Sequence, residues 1–139
     1  MKYTLLIVSC SVRLLLGRKA DVNAESKSYF YERTTTLHKA AASGHWMMVQ
    51  LLLGHKADID MKSSRGKMAL HMTAKNRHGA VVRLLLKNNA NVDSEDKYGL
   101  MSLISAVENG HEAVVWLLFK NGANVIVLDQ KFAFFPHQK

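Results

Sequence analysis

Thr35-Thr36-Leu37-His38-Lys39-Ala40-Ala41-Ala42-Ser43-Gly44-His45, followed by Val49-Gln50-Leu51-Leu52-Leu53, is the stretch whose reading decides the fold. Its first half holds small residues and ends on glycine, the pattern of a short, closely packed helix that stops in the left-handed conformation. Its second half carries a leucine triplet with a valine one turn earlier. That stripe is too wide for one helix to bury alone, so a neighbouring unit has to cover it.

The sequence supplies such units at a fixed interval. Leu37, Leu70 and Leu103 are spaced by 33, as are His45, His78 and His111, then Val49, Val82 and Val115, and the alanines Ala57, Ala90 and Ala123. A generic helical bundle could repeat an apolar stripe, but it has no reason to keep a histidine and a loop alanine in phase with it. Each period predicts two short helices and an extended connector. The first helices are expected over Leu37 to Ser43, Leu70 to Asn76 and Leu103 to Asn109. The second helices carry Val49 with Leu51-Leu52-Leu53, Val82 with Leu84-Leu85-Leu86, and Val115 with Leu117-Leu118-Phe119.

Thr35-Thr36-Leu37-His38 with Ala40-Ala41 and Gly44-His45 resembles the ankyrin signature Thr-Pro-Leu-His-x-Ala-Ala-x-x-Gly-His. The Leu-Leu-Leu-x-x-x-Ala-Asp-Val-Asn stretch is similar from Leu14 to Asn23, and again from Leu51, Leu84 and Leu117. The resemblance runs from about Val12 to Asp129. It implies an all-α ankyrin-repeat solenoid of stacked helix-turn-helix units joined by extended β-turn finger connectors. In that register residues 1–139 form one domain: a partial repeat at 1–24, full repeats at 25–60, 61–93 and 94–126, and a truncated repeat or tail at 127–139. Leu16 and Leu53 are 37 apart, so four extra residues near Ser26 to Phe30 should lengthen the first connector.

Departures from the family pattern predict a weak stack. Met68 and Met101 replace the signature threonine, and Ile104 its histidine; each lost local hydrogen bond costs about 0.5–1.5 kcal/mol. Thr36, Ala69 and Ser102 stand where the family places proline, which removes a preset first helical residue. Lys19, Lys56 and Asn89 replace the glycine before the loop alanine, which only Gly122 retains, and Arg77 does the same after a first helix. A lysine in the left-handed region costs about 1 kcal/mol or more.

Composition restricts the function classes. With 48% apolar residues the chain can build a core, and its net charge of +8 with a pI near 9.8 favours an acidic partner. One cysteine, Cys10, excludes an intramolecular disulfide; with Pro136 as the only proline, a reducing intracellular setting, cytoplasmic or nuclear, is expected. Cys10 has mostly apolar neighbours and reads as a small buried hydrophobe. Met1-Lys2 followed by Tyr3 to Ser9 has the look of a secretory signal. However, the apolar run is short, Arg13 interrupts it, and Val12 to Leu16 matches the second-helix column; the segment is therefore expected to stay on the mature protein. No stretch approaches the roughly 18–20 apolar residues of a membrane span.

The seven histidines do not have metal-ligand spacing. His38, His45, His71, His78 and His111 coincide with scaffold columns, and nothing resembles a phosphate loop or a nucleophile elbow, so no catalytic, cofactor or metal residue is assigned. Cationic side chains cluster instead in the connectors and at first-helix ends, which the resemblance implies form a concave recognition surface. The partner-binding positions so implied are Tyr31, Glu32 and Thr34; Ser64, Arg65 and Lys67; and Lys97, Tyr98 and Leu100 on successive fingers, with Lys75, Asn76, Glu108 and Asn109 at helix ends. The expected function is a non-catalytic scaffold or adaptor that binds another protein with an acidic surface. The alternative is an electrostatic nucleic-acid binder, which would show a steep salt dependence but has few stacking aromatics. The ends lack polar caps, with an apolar half repeat at one and Phe132, Phe134 and Phe135 at the other, so self-association through them is also to be weighed.

Overall fold

The computed structural model describes residues 20–26, 31–126 and 128. Over them the chain forms α1 (Thr36–Ala42), α2 (Trp46–Gly54), α3 (Ala69–Lys75), α4 (Gly79–Lys87), α5 (Ser102–Glu108) and α6 (Glu112–Lys120). The fold is the all-α stack of paired helices that the 33-residue period predicts. The expected N-terminal helix with Val12 to Leu16, the positions of Cys10 and Lys19, and the tail phenylalanines lie outside the described residues.

The first helices begin one residue earlier than predicted, because Thr35, Met68 and Met101 take the cap position with extended backbone. At α1 the cap is reciprocal. Thr35 Oγ1 accepts from the His38 backbone N–H at 3.3 Å, and His38 Nδ1 accepts from the Thr35 N–H at 3.0 Å. At α3 half of this survives: the Met68 N–H donates to His71 Nδ1 at 3.0 Å, while the Met68 side chain makes no cap hydrogen bond. The side-chain bond is thus lost as expected, while Met68 is only 1% exposed, so its apolar burial acts against that loss. At α5 Met101 is half-buried, and Ile104 in the histidine column leaves that turn without either side-chain bond.

Helix ends follow the left-handed pattern. Gly44 and Gly110 have φ of +73° and +69°, and Arg77 takes φ +64° at the equivalent position. After the second helices Lys56 and Asn89 sit at +66° where Gly122 sits at +90°, so the strain anticipated at Lys56 and Arg77 is present.

First helices stack α1 on α3 on α5, and second helices α2 on α4 on α6, each pair closed by contacts between its own two helices. Leu37, Leu70 and Leu103 are buried in the first layer, and Val49, Leu52, Val82, Leu85 and Leu118 in the second. The middle leucine of each triplet is the one buried completely; Leu84 is buried too, Leu51, Leu53, Leu86 and Leu117 pack partly buried against the core, and Phe119 is exposed.

Polar side chains stitch one repeat to the next. Asn23 Oδ1 accepts from Asp58 N–H, Asp60 Oδ1 from Asn91 N–H and Asp93 Oδ1 from Asn124 N–H, at 2.8–2.9 Å. His78 Nε2 donates to the Ala42 carbonyl at 2.9 Å and His111 Nε2 to the Lys75 carbonyl at 2.8 Å. The histidine column thus satisfies carbonyls at the C-termini of preceding first helices, which have no partner of their own within the helix.

Candidate functional site

The connectors are hydrogen-bonded into stacked fingers. In one, Ser63 Oγ accepts from the Arg65 and Lys67 N–H groups at 3.3 and 3.1 Å; in the next, Asp96 Oδ1 accepts from those of Tyr98 and Leu100 at 2.8 and 2.9 Å. A short acceptor side chain at the base of each turn thereby fixes the tip. Neighbouring tips are tied together: Ser64 N–H donates to the Arg33 carbonyl at 3.1 Å, Arg33 N–H to Ser64 Oγ at 2.9 Å, and Lys97 N–H to the Arg65 carbonyl at 2.9 Å. A Cβ on Gly66 would lie 2.7 Å from the Lys97 nitrogen, so this approach and φ +76° both require glycine. The first finger is closed by a bridge between Glu25 and Thr35, with Ser26 N–H donating to the Thr34 carbonyl at 2.8 Å.

Two histidines hold the fingers against the helices. His38 Nε2 donates to the Lys67 carbonyl at 2.9 Å, and His71 Nε2 faces the carbonyls of Ser94 and Leu100 at 2.9 and 3.1 Å. With Nδ1 accepting from the cap N–H, each ring fits the neutral form protonated on Nε2. Burial lowers the pKa of both, against the raising effect of those carbonyls. Both rings are occupied by the scaffold, and no group of three His, Cys, Asp or Glu among the described residues could hold a metal ion.

The structure sorts the sequence-predicted surface into two sets. Arg65, Lys75, Lys97, Tyr98 and Glu108 are exposed, and Lys67 is half-exposed beside them. Tyr98 is 64% exposed, with Lys97 Nζ 5.8 Å from its ring centroid, a cation–π pair on one tip. Tyr31 is 81% exposed on the neighbouring finger system. The others have scaffold duties. Asn76 Nδ2 donates to the Ala42 carbonyl and Asn109 Nδ2 to the Ser105 carbonyl; Ser64 joins two fingers; the Leu100 backbone closes its turn; Glu32 accepts from the Ser63 hydroxyl. Thr34 is half-buried, and its backbone pairs with Ser26.

Between fingers and first helices lies a cleft of about 180 Å³ lined by Glu32, Lys67, His71, Met72, Lys75 and Ser105, among others. Met72 and Ser105 did not emerge from the sequence. Their signal is the column Lys39, Met72, Ser105, spaced by 33, which changes from cation to thioether to hydroxyl where the columns of Leu37, Val49 and Ala57 keep one residue type.

No helix among the described residues is long and apolar enough to cross a membrane. No curated protein matches the chain. A family model described as ankyrin repeats, in three copies, matches over residues 5–96 and 37–129. Ankyrin repeats are generally protein–protein interaction modules and typically non-catalytic. With helix pairs, fingers and family match in agreement across most of its length, the chain belongs to the ankyrin-repeat family.

Proposed function

We propose that this protein is a non-catalytic scaffold or adaptor that grips an acidic protein surface with its fingers and the concave face of its first helices. The observation that carries the reading is the pairing of adjacent tips: Arg65 and Lys97 are joined through a 2.9 Å backbone hydrogen bond, and Lys97 lies over exposed Tyr98. Fixing the backbone before binding lowers the entropy lost on association. Arg65 supplies a forked donor to carboxylates, and Tyr98 offers large planar area with little rotamer loss. Lys67 and Lys75 on the cleft continue the same charge inward. The repeat boundaries at 25–60, 61–93 and 94–126, and a cytoplasmic or nuclear setting, belong to this proposal.

Affinity capture at two salt concentrations, with a nuclease-treated control, identifies the partner and tests its class. Capture that survives nuclease supports a protein partner; loss with nuclease, together with a steep salt slope, would instead indicate nucleic acid. Arg65→Ala and Tyr98→Ala should each weaken a captured protein partner by about 1–2 kcal/mol, with little change in fold. Arg83→Ala, exposed on second helix α4, is the control. Normal binding by both finger variants, with loss in the Arg83 variant, moves the site to the convex side.

A further inference from the structure

Ser64 and Lys97 hold the same place in successive fingers. Each is the first of the two residues at the tip of a tight turn, closed by the Gly66 N–H donating to the Ser63 carbonyl at 2.8 Å and by the Gly99 N–H donating to the Asp96 carbonyl at 3.0 Å. Ser64 is exposed. Its Oγ accepts from the Arg33 N–H at 2.9 Å, which fixes the oxygen, while the hydroxyl hydrogen meets no acceptor among the described residues.

The other serine and threonine hydroxyls among the described residues are less open. Thr35, Thr73 and Ser102 are buried, and Ser63 is buried and donates to Glu32. Thr36 and Ser43 are exposed, but they begin and end α1; the rest are half-buried. Ser64 also stands amid cations. Lys62 and Arg65 flank it in sequence, the 2.9 and 3.1 Å backbone pairing holds Arg33 against it, and the 2.9 Å bond from the Lys97 N–H to the Arg65 carbonyl adds a fourth.

We propose that Ser64 is a phosphorylation site at which a protein kinase reverses the charge of the finger surface; the switch rests on the reading of that surface as the grip on an acidic partner. Basic residues on both sides suit a kinase whose substrate groove is acidic. In the transfer the Ser64 Oγ forms a bond to the γ-phosphorus of ATP as the bond to the β-phosphate oxygen breaks. ADP leaves, and the hydroxyl proton passes to the catalytic aspartate of the kinase. A protruding turn lets the hydroxyl reach that in-line geometry, which a packed helix end hinders. The phosphate brings a charge of about −1.5 to −2 and three acceptor oxygens into the midst of Arg33, Lys62, Arg65 and Lys97. Guanidinium groups pair with it through forked donors, so Arg65 is drawn away from a partner, and an acidic surface meets like charge at the tip.

Full-length protein is incubated with Mg-ATP and a serine kinase that selects basic sequences, beside a synthetic peptide of residues 59–69. Phosphate should appear at Ser64 in both, located by peptide fragmentation, and should vanish in Ser64→Ala. Labelling of the peptide but not of the folded chain, labelling at Thr36 or Ser43 instead, or no labelling of either overturns the site. The phosphorylated chain should bind immobilised poly-L-glutamate at least about fivefold more weakly than the unmodified one. Arg83→Glu, which lowers the net charge by a similar amount on exposed α4, should lose far less, and an equal loss overturns the switch. Phosphorus NMR reads the phosphate directly. Its second proton should leave at lower pH in the folded chain than in the peptide, because Arg33 and Lys97 join it only there, and identical titrations overturn the pairing. Failure of the unmodified chain to bind poly-L-glutamate would count against the finger reading alone, since labelling and titration judge Ser64 without it.

Discussion

His38 and His71 each carry two bonds: an Nδ1 that accepts from a helix cap and an Nε2 that reaches the next finger. Burial lowers the pKa of both below the ordinary histidine value of 6.5, so the unfolded chain binds more protons than the folded one as pH falls past that value. Stability is therefore full above about pH 6.5, declines below it, and levels off below the lowered native values. Protonating Nδ1 would also set its proton against the cap N–H that it now accepts. Unfolding midpoints in denaturant should fall between about pH 7.5 and about 5.5, a window above the titration of ordinary carboxylates. A flat profile would show that the two rings are not held neutral. The sequence placed these histidines in scaffold columns, but their partners, at Lys67, Ser94 and Leu100, are carbonyls 23 to 29 residues away. Backbone acceptors carry no residue signature, so this half of the role was illegible before the fold.

At the scale of single helices, the turns were legible and the compensation was not. Lys56, Arg77 and Asn89 have positive φ because the fold needs a left-handed residue wherever a helix stops, whatever the sequence supplies. Lys56 is exposed, so Lys56→Gly should stabilise the protein by about 0.5–1 kcal/mol, the steric relief being reduced by glycine's greater freedom when unfolded. The two methionine caps should respond with opposite signs, although the sequence treats them alike. Met68→Thr gains a cap hydrogen bond but gives up fully buried apolar area, a net loss of about 1 kcal/mol or more. Met101→Thr gains a similar bond from a half-buried position, for a net increase of about 0.5 kcal/mol. Urea titrations of the three variants measure these values, and equal shifts for both threonine variants would mean that burial at Met68 is not what holds the α3 start. The candidate surface divides in the same way. The positions of Arg65, Lys97 and Tyr98 at finger tips follow from the repeat register, whereas the inward duty of Asn76 depends on the Ala42 carbonyl of the preceding repeat, which only the packed helices present.

For the whole molecule, stability depends on how strongly each repeat holds its neighbour, because in a linear stack no distant contact compensates for a loosened seam. Two glycines isolate that term. Gly44 and Gly110 end first helices with nearly the same φ, +73° and +69°, so alanine at either meets a comparable left-handed cost of about 1 kcal/mol. Their surroundings differ. A Cβ at Gly44 would lie 2.5 Å from Nδ1 of His78, the ring whose Nε2 holds the Ala42 carbonyl of the preceding repeat, whereas one at Gly110 meets nothing within 4 Å. Gly44→Ala must therefore displace the ring that stitches two repeats together, and Gly110→Ala need not. The first variant should lose about 1–2 kcal/mol more than the second, the worth of the bond together with the packing around it. Its unfolding transition should also broaden, since weaker coupling lets repeats on the two sides of that seam open separately. Native-state hydrogen exchange makes the distinction directly. Amides of α1 and α2 should lose protection ahead of those of α5 and α6 in the Gly44 variant, and equal losses in both variants would show that the histidine stitch carries no coupling.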